Sequence, residues 1–586
     1  MDVEAILATV DRGGWLRVDT ERGSRDYLIG ARTQLDGEVP VLDWRTSPLA
    51  EVFFRHAPGE SYELEAGAAG RVVERWVVAR DRLIGDHSTR DRETERPFAR
   101  PAPVAAAPAD RSALPVLDRE QQAAVDLTAD TSLVIDGEAG VGKTLVALYR
   151  VAALERRARE HDRRFRGLVL VPTEGLRRLV RLLADRLGIH KLEIAVLDDW
   201  LIDRAHEAFT GLPKRRSESA IAQVIGLKRH PALRAVLADF VGWKPPRGVD
   251  DDRISRTRQR LLHLFGDRDR LQRVIDAAGG VLPERAIAAV MQHTRRQFET
   301  TTEKAFGHVD ADRLVALDGR RLDAGTPMAD ANSFDAEDVP VLFELVRLGA
   351  LPKAKLAHYD HIVVDEAQLR APLELAAIAD ALEPGGTVTL AGDHRQATDE
   401  SAWFAGWEPA RAELRRLCWA EVTLAVTYRS VPAIAAFARA ITERTARVPA
   451  EPPPDPAVWA SACAGSLGQA AMLCWQLDAL VTRDPWRHIC VVARTPDHAR
   501  RLHAELARGL DPLLVLDGDF RFEPGVIVTH AAAVSGLEFD AVVIPDLTPD
   551  FYPVSPELAR SLYVAATRAR DWLWLLTPAA WSPLVG

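Results

Sequence analysis

Leu133-Val-Ile-Asp-Gly137-Glu-Ala-Gly140-Val-Gly142-Lys143-Thr144 is the stretch from which the rest of the chain can be read. Leu133-Val-Ile135 is a short apolar run, and Thr144 to Glu160 is made of good helix formers, so the stretch reads as a buried strand, a turn and a helix. Gly137, Gly140, Gly142, Lys143 and Thr144 match G-x-x-x-x-G-K-[ST] in the strand-to-helix setting the motif requires. The glycines let backbone N–H groups curl around phosphate oxygens, and the helix N-terminus adds the positive end of its dipole. Lys143 is placed for the β- and γ-phosphates and Thr144 for Mg²⁺, so ATP and Mg²⁺ are the cofactors expected.

Such a loop needs an acidic partner. Ile362-Val-Val-Asp365-Glu366-Ala-Gln368 supplies it, with Asp365 to hold Mg²⁺ through water and Glu366 to polarise the attacking water. A lone Asp-Glu pair is often only surface charge. This one ends a β-branched strand and accompanies a phosphate loop.

Outward from these motifs, strands alternate with helices, which argues for mostly parallel sheets. Residues 1–98 carry short strand-like runs: Trp15 to Val18, Asp26 to Ile29, Val39 to Leu42, Val52 to Phe54 and Val72 to Val78. They read as a small β-rich domain, followed by a Pro/Ala linker over 99–116. A first α/β domain is expected over 117–420, interrupted over about 200–355 by amphipathic helices such as Arg253 to Gln272 and Ala286 to Phe298. A second is expected over 421–586, with Pro449 to Pro456 as a surface loop. At 47% apolar and 27% charged residues, the chain fits a soluble globular protein. No run approaches a membrane span and no signal peptide is apparent, so a cytoplasmic location is expected. Four cysteines without a CxxC pair point away from a zinc site. The net charge of −10 confines any nucleic-acid contact to a local groove and leaves room for a basic protein partner.

The Asp-Glu-Ala-Gln form, with Leu117-Asp-Arg-Glu-Gln121-Gln-Ala-Ala-Val125 upstream, resembles the UvrD/Rep-like superfamily 1 helicases. Gly392-Asp-His-Arg-Gln396, Val426-Thr-Tyr428-Arg429-Ser430, Gly536-Leu-Glu538-Phe-Asp540 and Leu562-Tyr-Val-Ala-Ala-Thr-Arg568-Ala569 are similar to further motifs of that family, in its order. The resemblance covers Leu117 to the C-terminus. It implies two RecA-like P-loop domains that hydrolyse ATP at their interface. By it, Gln121 reads the adenine edge, Tyr428 stacks on the base and Glu538 touches the ribose. Gln396 senses the γ-phosphate, and Arg429 and Arg568 reach it from the second lobe. Arginines that arrive from another lobe stabilise phosphoryl transfer only when the cleft closes, which ties hydrolysis to movement.

The chain departs from this pattern in places. Ser535 and Ala532 stand where the family has Lys and His, with His530 as a shifted equivalent of the latter, and that motif contacts the nucleic-acid backbone. The large second-lobe insertion (2B) of processive helicases is absent from the pattern. A nucleic-acid grip could come from Thr173, Arg177, Arg178, Arg181 and Lys214 to Arg216, or these are a solvated basic face. Trp403, Phe404 and Trp407 either stack on bases or pack in the core. Tyr27 to Gly30, Val41 to Arg45, Pro48 to Ala50 and Phe53-Phe54 resemble segments of the HelD-type ATPases that act on RNA polymerase, but the long N-terminal coiled coil of that family is missing. The expected activity is a helicase-like ATPase coupling lobe closure to translocation on, or remodelling of, nucleic acid or a nucleic-acid-bound protein complex. Single-stranded nucleic acid, RNA polymerase or another protein complex are the partners in view. The alternatives are a HelD-like polymerase-recycling factor without unwinding, the ATPase of a defence system, and an ATP-binding structural protein.

Overall fold

The computed structural model describes most of 117–586 and the strands of the N-terminal block; residues 1–12, 95–116, 245–254, 299–330, 395–398, 425–430 and 449–456 and some shorter stretches lie outside the described residues. Gln396, Tyr428, Arg429, the linker and the proline-rich loop are therefore not described.

The N-terminal block is one sheet in the order β3-β2-β1-β5-β6-β7, with β4 on β5. Its strands are β1 (Gly13–Thr20), β2 (Gly23–Gly30), β3 (Val41–Asp43), β4 (Ser61–Glu63), β5 (Ala69–Ala79), β6 (Arg82–Asp86) and β7 (Glu93–Thr94). Val52 to Phe54, expected as a strand, lie instead in helix α1 (Pro48–Arg55). The reason is visible locally. Pro48 pre-sets the first turn, and Leu49, Val52 and Phe53 stand three and four apart, so one helical stripe turns inward; Val52 and Phe53 are buried.

The first lobe is a six-stranded parallel sheet in the order β10-β9-β13-β14-β8-β15. It follows α2 (Arg119–Asp126) and comprises β8 (Ser132–Gly137), α3 (Lys143–Glu160), β9 (Gly167–Val171), α4 (Glu174–Arg186), β10 (Glu193–Val196) and α5 (Leu197–Ala208). After an excursion it resumes with β13 (Tyr359–Asp365), α11 (Pro372–Ala379), β14 (Leu382–Gly392), α12 (Trp407–Leu414) and β15 (Trp419–Leu424). Every residue of β8 and β9 is buried. At about 1.5–3 kcal/mol for each large apolar side chain, that burial explains why these runs are continuously apolar rather than alternating. β15 pairs with β8, so the first sheet closes at Leu424 and not at 420 as expected: a strand that follows α12 completes the open edge it leaves.

The excursion carries β11 (Arg215–Arg216) paired with β12 (Ser333–Phe334), and helices α6 (Ala222–Arg229), α7 (Arg256–Phe265), α8 (Arg268–Ala277), α9 (Arg285–Phe298) and α10 (Asp338–Arg347). The run from Arg253 to Gln272 is two helices, because Gly266 caps the first and Asp267 starts the next by accepting from the Asp269 and Arg270 N–H groups. The excursion shares one core with a face of the first sheet. Within it Lys228 is fully buried, its Nζ donating at 2.6 Å to both Asp335 and Asp338. Burial alone would lower the lysine pKa; the two carboxylates outweigh it and raise it.

The second lobe repeats the parallel plan in the order β16-β21-β20-β17-β19-β18. It contains α13 (Pro432–Thr442), β16 (Val458–Ala462), α14 (Gly465–Arg483), β17 (His488–Ala493), α15 (Pro496–Leu506), β18 (Leu513–Leu514), β19 (Gly525–His530), β20 (Phe539–Ile544), α16 (Pro556–Thr567) and β21 (Ala569–Thr577). Among the described residues no helix is long and apolar enough to cross a membrane.

Candidate nucleotide site

The turn between β8 and α3 is held open by glycine. Gly140 and Gly142 have φ of +82° and +88°, left-handed conformations that cost other residues about 1–2 kcal/mol. A Cβ on Gly137 would lie 2.8 Å from the Leu424 carbonyl oxygen. No side chain caps α3, so its first N–H groups are left for something else. Lys143 is largely buried, and its ammonium donates to the carbonyls of Gly137 and Glu138, both at 2.9 Å. The turn therefore holds one buried cation on its carbonyls, beside a helix N-terminus that no side chain caps. Such a donor set fits a polyphosphate.

Opposite the turn, Thr144 Oγ1 donates to Asp365 Oδ2 at 2.7 Å across 221 residues of sequence. Asp365 closes β13 and is 2% exposed. Burial, then the neighbouring Glu366, push its pKa up to about 6. A hydroxyl and a carboxylate at this spacing are hard oxygen donors suited to Mg²⁺. Glu366 has φ of +50°, a strained conformation for a non-glycine residue and one that clusters at functional sites. Gln121 forms a capping box with Asp118 and donates from Nε2 to the Val141 carbonyl at 3.0 Å, so it lies against the turn.

Three residues given no role in the sequence reading join this edge. Gln368 donates to Glu366 Oε2 at 2.6 Å and accepts from the Asp393 N–H at 3.2 Å, linking the Asp-Glu-Ala-Gln strand end to the segment after β14. Asp136 accepts from His394 twice, from its backbone N–H at 3.2 Å and its Nδ1 at 2.8 Å. Their signal in sequence is only position: each lies within or beside a motif, and nothing local says what it meets.

The basic face takes a different form from the one expected. Thr173 caps α4, accepting from the Leu176 N–H at 3.3 Å. Arg177 makes a bidentate pair with Glu174 at 2.6 Å, Arg178 shares Glu174 and pairs with Asp519 of the second lobe, and Arg181 donates to the Leu192 carbonyl at 2.8 Å. Of the two alternatives for Trp407, its placement is that of core packing: it is 7% exposed and packed in the first-lobe core. Trp403 is half-buried, its indole N–H bonded to the Gly226 carbonyl at 2.8 Å and its ring set edge-on against His230.

In the second lobe, His530 Nε2 lies 3.1 Å from the Leu516 carbonyl. Arg568 is buried, and its guanidinium bonds the carbonyls of Val564 and Leu537 and the Thr567 hydroxyl, all in its own lobe. Glu538 is half-buried beside Arg570, which pairs with Asp540 and Asp571. The lobes meet where α4 begins: a Cβ on Gly175 would lie 2.8 Å from Phe520, and one on Gly536 would lie 2.7 Å from Leu176. The strand carrying Phe539 and Asp540, and the helix that Arg568 caps at its C-terminus, belong to the lobe that abuts the first there.

Residues 528–576, which span those elements, match the family model of the UvrD-like helicase C-terminal domain. The C-terminal part of the chain is thus similar to that domain. Among solved structures, the C-terminal domain of a possible DNA helicase from Lactobacillus plantarum WCFS1 matches at 24% identity, over 28% of this chain and 93% of its own, with a TM-score of 0.23. No curated protein matches the chain.

Proposed function

We propose that the chain is an ATP-hydrolysing motor of the superfamily 1 helicase type, with the nucleotide between two RecA-like lobes. The observation that carries this is the contact of Thr144 with Asp365, which joins the glycine turn to the acidic strand end at one edge of a parallel sheet. ATP with Mg²⁺ supplies the phosphoryl group to be transferred and part of the charge that steadies it. Lys143 binds the β- and γ-phosphates, Thr144 and Asp365 hold the metal, and Gln121 orients the base with Tyr428 and Glu538. Glu366 orients the attacking water, and Gln368 holds Glu366 by its 2.6 Å hydrogen bond. Gln396, Arg429 and Arg568 couple the γ-phosphate to lobe movement; for Arg568 this requires its guanidinium to leave its own-lobe carbonyls when the cleft closes.

The work done by closure is translocation on, or remodelling of, nucleic acid or a nucleic-acid-bound protein complex. One observation favours the protein-directed form, such as a HelD-like action on RNA polymerase or a role in a multi-protein defence system. Arg177 and Arg178 of α4 are already paired with Glu174 and Asp519, and so offer phosphates little uncompensated charge; Arg181 donates to the neutral Leu192 carbonyl and keeps its charge. Phosphate-release assays with single-stranded DNA, RNA and polymerase in turn test both. Lys143→Ala should abolish nucleotide binding or turnover, and Glu366→Gln should bind ATP but not hydrolyse it. Turnover near wild type in either variant sinks the motor assignment; stimulation by nucleic acid alone sinks the protein-directed form.

A further inference from the structure

Away from the nucleotide turn, a cavity of about 520 Å³ opens beside β10. β10 is the last strand of its sheet and pairs with β9 alone among the described residues. Its outer side therefore carries N–H and C=O groups outside the ladder, which is a template for another strand. All of β10, from Glu193 to Val196, lines the cavity.

The facing wall is α5. Asp199, Asp203 and Glu207 stand four residues apart in a single exposed row along it, while Trp200, Leu201 and Ala205 pack inward. Like charges at this spacing repel by about 0.2–0.5 kcal/mol per pair; Asp199 is offset by its place in the first turn and by Arg216 at 3.9 Å, while Asp203 and Glu207 lie beyond that turn. Glu193 adds a carboxylate on the strand side, where it accepts from the Tyr359 hydroxyl at 2.9 Å. The three arginines of the lining are held against its walls: Arg166 lies over the Tyr359 ring, Arg204 lies over the Trp200 ring and donates to the Ala357 carbonyl at 2.8 Å, and Arg177 is held by Glu174, so the carboxylates outnumber them. Partial burial pushes the Asp199 carboxyl up; Arg216 opposes the shift, and Asp198 and Asp203 add to it. The groove is negative, and it would repel a phosphate backbone.

We infer that this edge docks an extended, arginine- or lysine-rich segment of a partner protein, which adds to β10 as a strand and lays its basic side chains along the acidic row of α5. Main-chain hydrogen bonds would supply affinity and the alternating side chains specificity. The inference does not depend on ATP hydrolysis, since none of these residues belongs to the nucleotide edge.

The test is fluorescence anisotropy on the full chain with a labelled peptide alternating arginine and valine, the same peptide N-methylated on one edge, and spermine as competitor. The parent peptide should bind at low salt and weaken as salt rises. The double variant Asp203→Lys/Glu207→Lys should weaken it by about tenfold or more, because it reverses the row, and should leave helix content and ATP turnover unchanged. N-methylation should weaken binding several-fold by removing the strand bonds. Absence of peptide binding, equal binding to the double variant, equal binding of the methylated peptide, or full displacement by spermine at equal charge concentration each overturns the inference.

Discussion

Two junctions of the first sheet lead from a buried strand into a helix, and they treat negative charge in opposite ways. Between β8 and α3 the turn is glycine, no side chain caps the helix, and the one cation, Lys143, bonds only backbone carbonyls. Between β9 and α4, Thr173 caps the helix, Glu174 fills its first turn, and Arg177 and Arg178 fold back onto that glutamate. Both helices carry the same positive end of a dipole. A helix N-terminus is open to an anion where the chain withholds its own acceptors, and that is the junction at which we propose the nucleotide.

The largest effect should come from the open junction's acidic partner. Burial and Glu366 raise the Asp365 pKa to about 6. A carboxyl raised above its unfolded value near 3.9 costs the fold stability as pH rises through that interval. Asp365→Asn keeps an acceptor for Thr144 and removes the buried charge. Turnover should fall by roughly 10²-fold or more, while stability to urea at pH 8 should rise. A variant that is both inactive and less stable breaks the reading of Asp365 as a charge kept for function.

Next comes the turn itself. Gly142→Ala places a Cβ at φ of +88° and 3.2 Å from Gln121 Nε2, so the turn must distort. ATP affinity should drop about tenfold or more by calorimetry. The matching change at the closed junction, Thr173→Ala, should cost about 1 kcal/mol of stability through the lost cap and leave ATP affinity alone.

The two junctions were unequally legible. The open one is written in a contiguous run, since glycine, lysine and threonine at fixed offsets need only the strand and helix beside them. The parallel sheets were legible for the same reason, from apolar runs alternating with helical ones. At the closed junction the sequence leaves two alternatives open because its meaning is tertiary: Arg178 meets Asp519 from the other lobe, and Trp407 meets the core. Gln368 and the Asp136–His394 pair escaped notice because both form only when β13, β14 and β8 lie side by side. Val52 to Phe54 misled through composition, since three apolar residues read as a strand until Pro48 is taken as a helix start.

The two ends of β13 extend the comparison with a smaller effect. Where Asp365 keeps its charge problem, His361 at the other end has it resolved by protein groups, with Nδ1 2.8 Å from the Thr387 hydroxyl and Nε2 3.0 Å from that of Thr389. Burial, with Arg150 adding to it, lowers the imidazole pKa from 6.5 to about 3. The histidine stays neutral in the fold and takes a proton on unfolding, so its contribution is lost as pH falls below 6.5. Between pH 7.5 and 5.5 the loss should be about 1 kcal/mol. Urea midpoints at those two values check it, because His361→Gln should flatten the dependence even if it lowers both midpoints.

The smallest effect tests the closed junction directly. Hydrogen bonds from Arg177, then from Arg178, hold the Glu174 carboxyl below the usual carboxylate range. If those guanidinium groups are spent on Glu174, removing them from the wild type should change single-stranded DNA affinity by less than about twofold at low salt, since exposed pairs contribute little. Glu174→Gln does the reverse: it frees the charge of Arg177, while Arg178 stays with Asp519, at an N-terminus whose dipole already favours anions. DNA affinity should then rise by about 2–5-fold, with a steeper dependence on salt, because the freed cation can displace a counterion. The contrast between the junctions fails if neutralising Arg177, Arg178 and Arg181 weakens binding by tenfold while Glu174→Gln does nothing. The arginines would then already be gripping phosphate, and the pairing with Glu174 would be a resting arrangement that nucleic acid displaces.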